Sequence, residues 1–164
     1  MRILLALLIL VAGLATAQAQ VRVDSVDVLA AGIFKLESKP KRTANSEISS
    51  GEINEADATL ISRTAVIPAK LGTAFGVDLM IRGAPPGHMA PFRVVWRYPQ
   101  PGLLNPNTGK TTLVDDYIDN RILGAESKLY WILGAEWALV PGTWTFEIWY
   151  EDRMLASQSF TLTK

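Results

Sequence analysis

The chain of 164 residues contains no cysteine. No disulfide can form, so packing alone must hold the fold, and thiol nucleophiles and thiolate metal sites are excluded. Histidine is almost missing as well: His88 is the single one. A serine–histidine–aspartate triad would have only this residue as its base. It sits between Gly87 and Met89 in a proline-rich stretch, and no Gly-x-Ser-x-Gly elbow occurs. A zinc site would need further nitrogen or sulfur ligands, and none remain. An excess of one charge is also lacking, because 16 basic residues balance 16 acidic ones. Nothing in that balance predicts nucleic-acid binding, which needs a basic excess or patch. Convincing helical periodicity is absent too.

What is present begins with an apolar run. Arg2 is the only charge before Arg22, Ile3 to Ala12 is unbroken Ile, Leu, Ala and Val, and Gly13, Thr16 and Ala17-Gln18-Ala19 follow. A basic start, an apolar middle and a small-x-small end form the pattern that signal peptidase reads. Residues 1–19 are therefore expected to be a signal peptide cleaved after Ala19, with Ala17 as the second position. The run is shorter than the ~20 apolar residues of a spanning helix, so no stable membrane insertion is expected. No cysteine follows it to carry a lipid. Residues 20–164 are then one domain working in the periplasm or outside the cell.

That domain reads as strands. Val21–Leu36 predicts a half-buried strand with Val26, Val28, Ala30, Phe34 and Leu36 on one face, and Gly32 marks a bulge or a close approach. Residues 37–57 are polar, with Ile48 and Ile53 as the only large apolar residues. They predict a long mobile loop with a short strand around 46–53. Regular structure resumes at 59–67, and Pro68 ends it or places it at an edge. Phe75, Val77, Leu79 and Ile81 alternate with smaller or polar residues, as do Phe92, Val94, Trp96 and Tyr98. Glycine and proline punctuate 83–87 and 99–109. Residues 110–117 and 129–139 are further extended candidates with a polar stretch between. Trp144, Phe146, Ile148 and Tyr150 share one face, Glu151-Asp152-Arg153 reverses the chain, and Phe160 and Leu162 continue. This is a β-hairpin. About seven to nine short strands with Gly/Pro turns predict an all-β fold, a single immunoglobulin-like β-sandwich.

The series Ile67-Pro68-Ala69, Gly72, Phe75-Gly76, Gly83, Gly87, Pro99 and Gly102, closed by Leu139-Val140-Pro141-Gly142-Thr143-Trp144-Thr145-Phe146 with Leu155 and Phe160, resembles a family of small secreted bacterial proteins. Members carry a β-sandwich domain of unknown function. The resemblance covers most of residues 60–163 and implies a secreted or periplasmic β-sandwich. It carries over no catalytic residue.

Motifs with chemical potential are few. Asp115, Asp116 and Asp119 cluster, but they lack the Asp-x-Asp-x-Asp-Gly spacing that wraps calcium, and a solvated face or turn is expected. Asp78, Asp115, Asp116, Glu136 and Glu147 are the carboxylates available to a glycoside hydrolase, which needs two at a fixed separation. Gly109-Lys110-Thr111 has Leu104 where a phosphate-binding loop needs glycine, which rejects that motif. The five tryptophans are Trp96, Trp131, Trp137, Trp144 and Trp149. Parity puts Trp96 and Trp144 inward. Trp149 shares a face with Thr145 and Glu147, and an aromatic there is either a contact residue or covered by a loop or the N-terminal strand. Tyr98 at a strand end and His88 in its loop complete the binding candidates. The expectation is a non-enzymatic binding module without cofactor or metal, its partner an envelope protein or a glycan. Two alternatives stay open: a carboxylate-dependent glycan hydrolase, and a structural subunit of an envelope assembly.

Overall fold

The computed structural model describes residues 20–164, and the expected signal peptide, residues 1–19, lies outside them. In chain order the strands are β1 Arg22–Leu36, β2 Lys41–Ala44, β3 Glu52–Glu55, β4 Ala58–Arg63, β5 Val66–Pro68, β6 Ala74–Ala84 and β7 Met89–Arg97. There follow β8 Leu103–Asn105, β9 Lys110–Thr112, β10 Val114–Ile122, β11 Glu126–Ile132, β12 Gly142–Tyr150 and β13 Arg153–Thr163. A 3-10 turn, Glu136–Ala138, precedes β12. Among the described residues no helix is long and apolar enough to cross a membrane.

A four-stranded sheet in the order β11-β6-β1-β4 faces a five-stranded sheet in the order β10-β7-β12-β13-β5. This is the expected β-sandwich, and its two sheets hold the expected number of strands. The hairpins β2-β3 and β8-β9 are additions outside the two layers. Period-2 alternation aims one side of each strand at the facing sheet. Phe75 on β6 accordingly enters a nest of rings from the opposite sheet. Its ring centre lies 5.8 Å from Trp96, 5.7 Å from Trp144 and 5.2 Å from Phe160, all edge-on. Such pairs contribute about 0.5–1.5 kcal/mol each beyond the area they bury. The Trp144 indole N–H donates to the Val140 carbonyl at 3.0 Å, so the ring is buried without a lost hydrogen bond.

Several local expectations resolve in detail. Pro68 sits on β5, which pairs only with β13, so its missing N–H faces no neighbour. Gly32 is a close approach: a Cβ there would lie 1.8 Å from the Ser62 carbonyl oxygen. Val28 is a correction. It was expected inward, but the pairing of β1 with β6 shifts register between Val28 and Ala30, and Val28 and Leu29 are both exposed. Residues 37–57 are also built differently from the loop expected with a strand around 46–53. They form the β2-β3 hairpin, whose connection carries the buried Ile48 and Ser49.

Two features of the topology position the site. Residues 123–125 link β10 to β11, carrying the chain from the edge of one sheet to the edge of the other. The two edge strands therefore lie side by side along one flank of the sandwich. Second, β11 reaches β6 over Gly76, where a Cβ would stand 2.1 Å from the Leu129 carbonyl oxygen. Only glycine admits that approach.

Candidate functional site

Between β10 and β11 the flank opens into a cleft of about 210 Å³. The β2-β3 hairpin forms its third wall, contributing Ile48, Ser50 and residues 52–56. Two tethers hold that wall. At one end, Ser49 donates to Asp115 twice, from its backbone N–H at 2.7 Å and from its hydroxyl at 2.8 Å. Its carbonyl accepts from the Asn105 amide at 2.9 Å. At the other end, the Tyr130 hydroxyl donates to the Ala56 carbonyl and accepts from the Ala56 N–H, both at 2.7 Å.

Asp115 is the centre of the first tether. It is wholly buried, and the Tyr98 hydroxyl donates to it at 2.6 Å in addition to the two Ser49 bonds. Burial raises its pKa above the ordinary aspartate value, and the Tyr98 and Ser49 donors oppose that rise. Tyr98 is shifted up as well, first by burial and then by the Asp115 charge. The arrangement clasps the hairpin to the sheet edge.

The cleft mixes charged side chains with apolar and aromatic ones. Strand β10 turns Asp115, Tyr117, Asp119 and Arg121 inward and leaves Val114, Ile118 and Ile122 exposed. Its alternation is inverted. Arg121 is held by Asp119 on one side and donates to the Ser127 hydroxyl at 3.2 Å on the other. Lys128 on β11 pairs with Asp78 at 3.4 Å, and Glu52 on β3 pairs with Arg42 at 3.4 Å. Burial raises the pKa of Tyr117 and of Tyr130. Two donors stay unmatched: Arg121 Nε and Trp131 Nε1 are buried without a hydrogen-bond partner. Both residues line the cleft.

The sequence matches the profile of a family described as a domain of unknown function, DUF3859, over residues 22–162. The chain belongs to the DUF3859 family. The crystal structure of an immunoglobulin-like protein from Pseudomonas aeruginosa is similar at a TM-score of 0.57 and 25% identity. That similarity covers 90% of this chain and 99% of the other. No curated protein matches this chain. The domain of unknown function and the immunoglobulin-like sandwich are thus as expected.

The residues singled out in the sequence of this DUF3859 domain fall in three separate places. Tyr98 is only 6% exposed and belongs to the core, so it is corrected from a contact candidate to part of the Asp115 clasp. Trp149 is half-buried on the outer face of the five-stranded sheet. Its cover is the Arg93 guanidinium, 5.7 Å from the ring centre, and its N–H donates to Glu147 at 2.9 Å. His88 is exposed in the loop before β7, where its carbonyl accepts from the Leu123 N–H at 2.8 Å, and it is not part of the cleft lining.

The aspartate cluster is not the solvated face or turn expected. It lies on a strand that splits it: Asp115 and Asp119 face inward, and Asp116 faces outward to Arg93. Among the described residues no three His, Cys, Asp or Glu side chains gather as a metal-binding group. None of the five carboxylates considered for hydrolysis lines the cleft. Of the cleft residues, Asp119 was named in the aspartate cluster and Trp131 among the tryptophans, while Arg121, Tyr130 and Lys128 were not singled out. The available signal was the polar inward parity of β10, which departs from every other long strand.

Proposed function

We propose that this protein is a non-enzymatic binding module of the bacterial envelope, exported by its N-terminal signal and taking its ligand in the cleft between β10 and β11. The observation that carries this reading is that Arg121 and Trp131, whose buried Nε and Nε1 donors are unmatched, both belong to the wall of one cleft. A buried donor without a partner costs about 1–3 kcal/mol. In a folded chain such a group is met by a bound water, an ion or a ligand. The small-x-small segment ending at Ala19 supports export, and without cysteine the domain is held by packing. The cleft walls are tied by hydrogen bonds rather than by mobile contacts, which favours a preformed site.

The test is a nuclear magnetic resonance titration. Isotope-labelled protein, expressed as the full chain and recovered from the envelope, is titrated with a protein-free extract of that envelope. Chemical-shift changes should concentrate on residues 52–56, 119–121 and 128–132 and fade in Arg121→Lys. That variant keeps a cation beside Asp119 and loses the Nε donor. Changes confined to other surfaces, or changes that Arg121→Lys leaves intact, would overturn the cleft as the binding site.

A further inference from the structure

We infer that the ligand of this cleft is a neutral, hydroxyl-rich ring, that is, a sugar residue. The inference rests on the cleft being the binding site and names the chemical class it takes. Three observations lead to it.

The first is the balance of charge. The lining carries Arg121 and Lys128 against Asp119, Glu52 and Glu55. Arg121 is matched by Asp119, Lys128 by Asp78 and Glu52 by Arg42. No cation is left over to receive a phosphate or carboxylate. An anion would meet a slightly negative, already paired surface, which disfavours it. The Arg121–Asp119 pair is largely buried and held in place, so a ligand does not have to order it.

The second is the mixture of donors and acceptors. Arg121 and Lys128 only donate, while Asp119, Glu52 and Glu55 accept when ionised. A hydroxyl group both donates and accepts, so a ring carrying several hydroxyls can serve both kinds of side chain. A phosphate or carboxylate can use only the donors, and an ammonium only the acceptors.

The third is size and shape. A space of about 210 Å³ falls below the ~300–1,000 Å³ of nucleotide and cofactor sites. It suits one ring. The aromatic walls come from Trp131 and the half-buried Tyr130, whose hydroxyl is already engaged with Ala56. What Tyr130 offers a ligand is therefore ring surface, and aromatic rings pack against the C–H faces of sugars. The inverted alternation of β10 then has a purpose. Its polar side chains face a ligand with hydroxyls to satisfy rather than a hydrocarbon core.

The experiment titrates the envelope-recovered protein with three hexasaccharides: maltohexaose and the hexamer of N-acetylglucosamine, which are neutral, and hexagalacturonate, which is anionic. Tryptophan fluorescence and ligand-observed magnetic resonance report binding. At least one neutral sugar should bind, with an affinity that changes little between about 0.05 and 0.5 M salt. Arg121→Lys should weaken it about tenfold, and Trp149→Ala should leave it unchanged. Binding of the acidic hexamer alone, or of no sugar while envelope extract still shifts the cleft resonances, would overturn the sugar assignment and leave the cleft standing. In the latter case an extended peptide along the sheet edges becomes the occupant. A neutral sugar bound with equal affinity by Arg121→Lys would overturn both the sugar site and the reading of the cleft.

Discussion

The two sides of the five-stranded sheet use the same residue types in opposite ways, and they meet on β10. Asp115 and Asp116 are neighbours in sequence. Asp116 faces out, where Arg93 grips it with bonds of 2.7 and 2.5 Å and holds its pKa below the ordinary range. Asp115 faces in, where burial pushes its pKa up and only neutral donors answer it. The outer face satisfies itself. Arg97 pairs with Glu147 at 2.6 Å, Glu147 accepts from Trp149, and Arg93 covers Trp149. The cleft side does not, because Arg121 Nε and Trp131 Nε1 remain unmatched. Exposed apolar surface alone would point to the outer face, where Ile118 is 57% and Met89 is 62% exposed. Unmatched polar groups point to the cleft. If the cleft is the site proposed above, what a surface leaves unpaired marks it better than how apolar the surface looks.

The sharpest way to break that contrast is to delete the inward carboxylate. Asp115→Ala strips the acceptor from the Ser49 N–H, the Ser49 hydroxyl and the Tyr98 hydroxyl. Leaving buried donors unmatched costs about 1–3 kcal/mol per group, reduced where a hydroxyl can turn elsewhere. A loss of about 3 kcal/mol in urea unfolding is expected, with hydrogen exchange quickening at residues 45–51 before it does so on β12. A loss no larger than that of an exposed ion pair would mean that Asp115 does not hold the hairpin.

The two sides also differ in how much of them the sequence showed. Core strands were legible because alternation alone decides them. Phe75, Val77, Leu79 and Ile81, and likewise Trp144, Phe146 and Ile148, sit inward by parity. Tyr98 shares parity with Phe92, Val94 and Trp96, and its burial follows that rule even though its place at a strand end suggested exposure. The clasp was not legible. Ser49 and Asp115 are separated by 66 positions, and no local pattern announces a contact between a polar segment and a distant strand. The cleft was half legible. Residues 118–128 read as a polar stretch because the apolar residues of β10 face out and its charges face in. A strand whose alternation is inverted looks like no strand to a reading that expects apolar residues inside. That failure coincides with the candidate site, as it does where function overrides folding preference.

A second, smaller test concerns Trp149. The outer face is read as self-satisfied, with the indole contributing packing, one hydrogen bond and one cation–π contact. An exposed cation–π contact contributes about 0.5–1 kcal/mol, and the half-buried ring adds burial. Trp149→Ala should therefore cost about 1–2 kcal/mol in urea unfolding and leave cleft binding untouched. Loss of binding to envelope extract with stability unchanged would move the site to the outer face and invert the comparison.

The smallest expected effect is at Asp116, and its value lies in its sign. The Arg93–Asp116 pair is about two-fifths exposed on each side, so solvent screens it, and Asp116→Ala should cost under about 1 kcal/mol. Its pH dependence separates it from Asp115. A carboxylate whose folded pKa is lowered contributes stability that is present above its unfolded pKa and is lost as pH falls through the folded value. Removing Asp116 should thus matter near neutrality and cease to matter in acid. Asp115 has the opposite linkage. Its folded pKa is raised above the ordinary 3.8, so the native state holds a proton that the unfolded chain releases, and stability falls as pH rises through that window. Replacing Asp115 with Asn should remove this fall and flatten the profile between about pH 4 and the raised value. Urea midpoints measured across that range for the two variants should diverge from wild type in opposite directions. Parallel profiles would show that the two neighbours share one environment, and the distinction between the sides of the sheet would be lost.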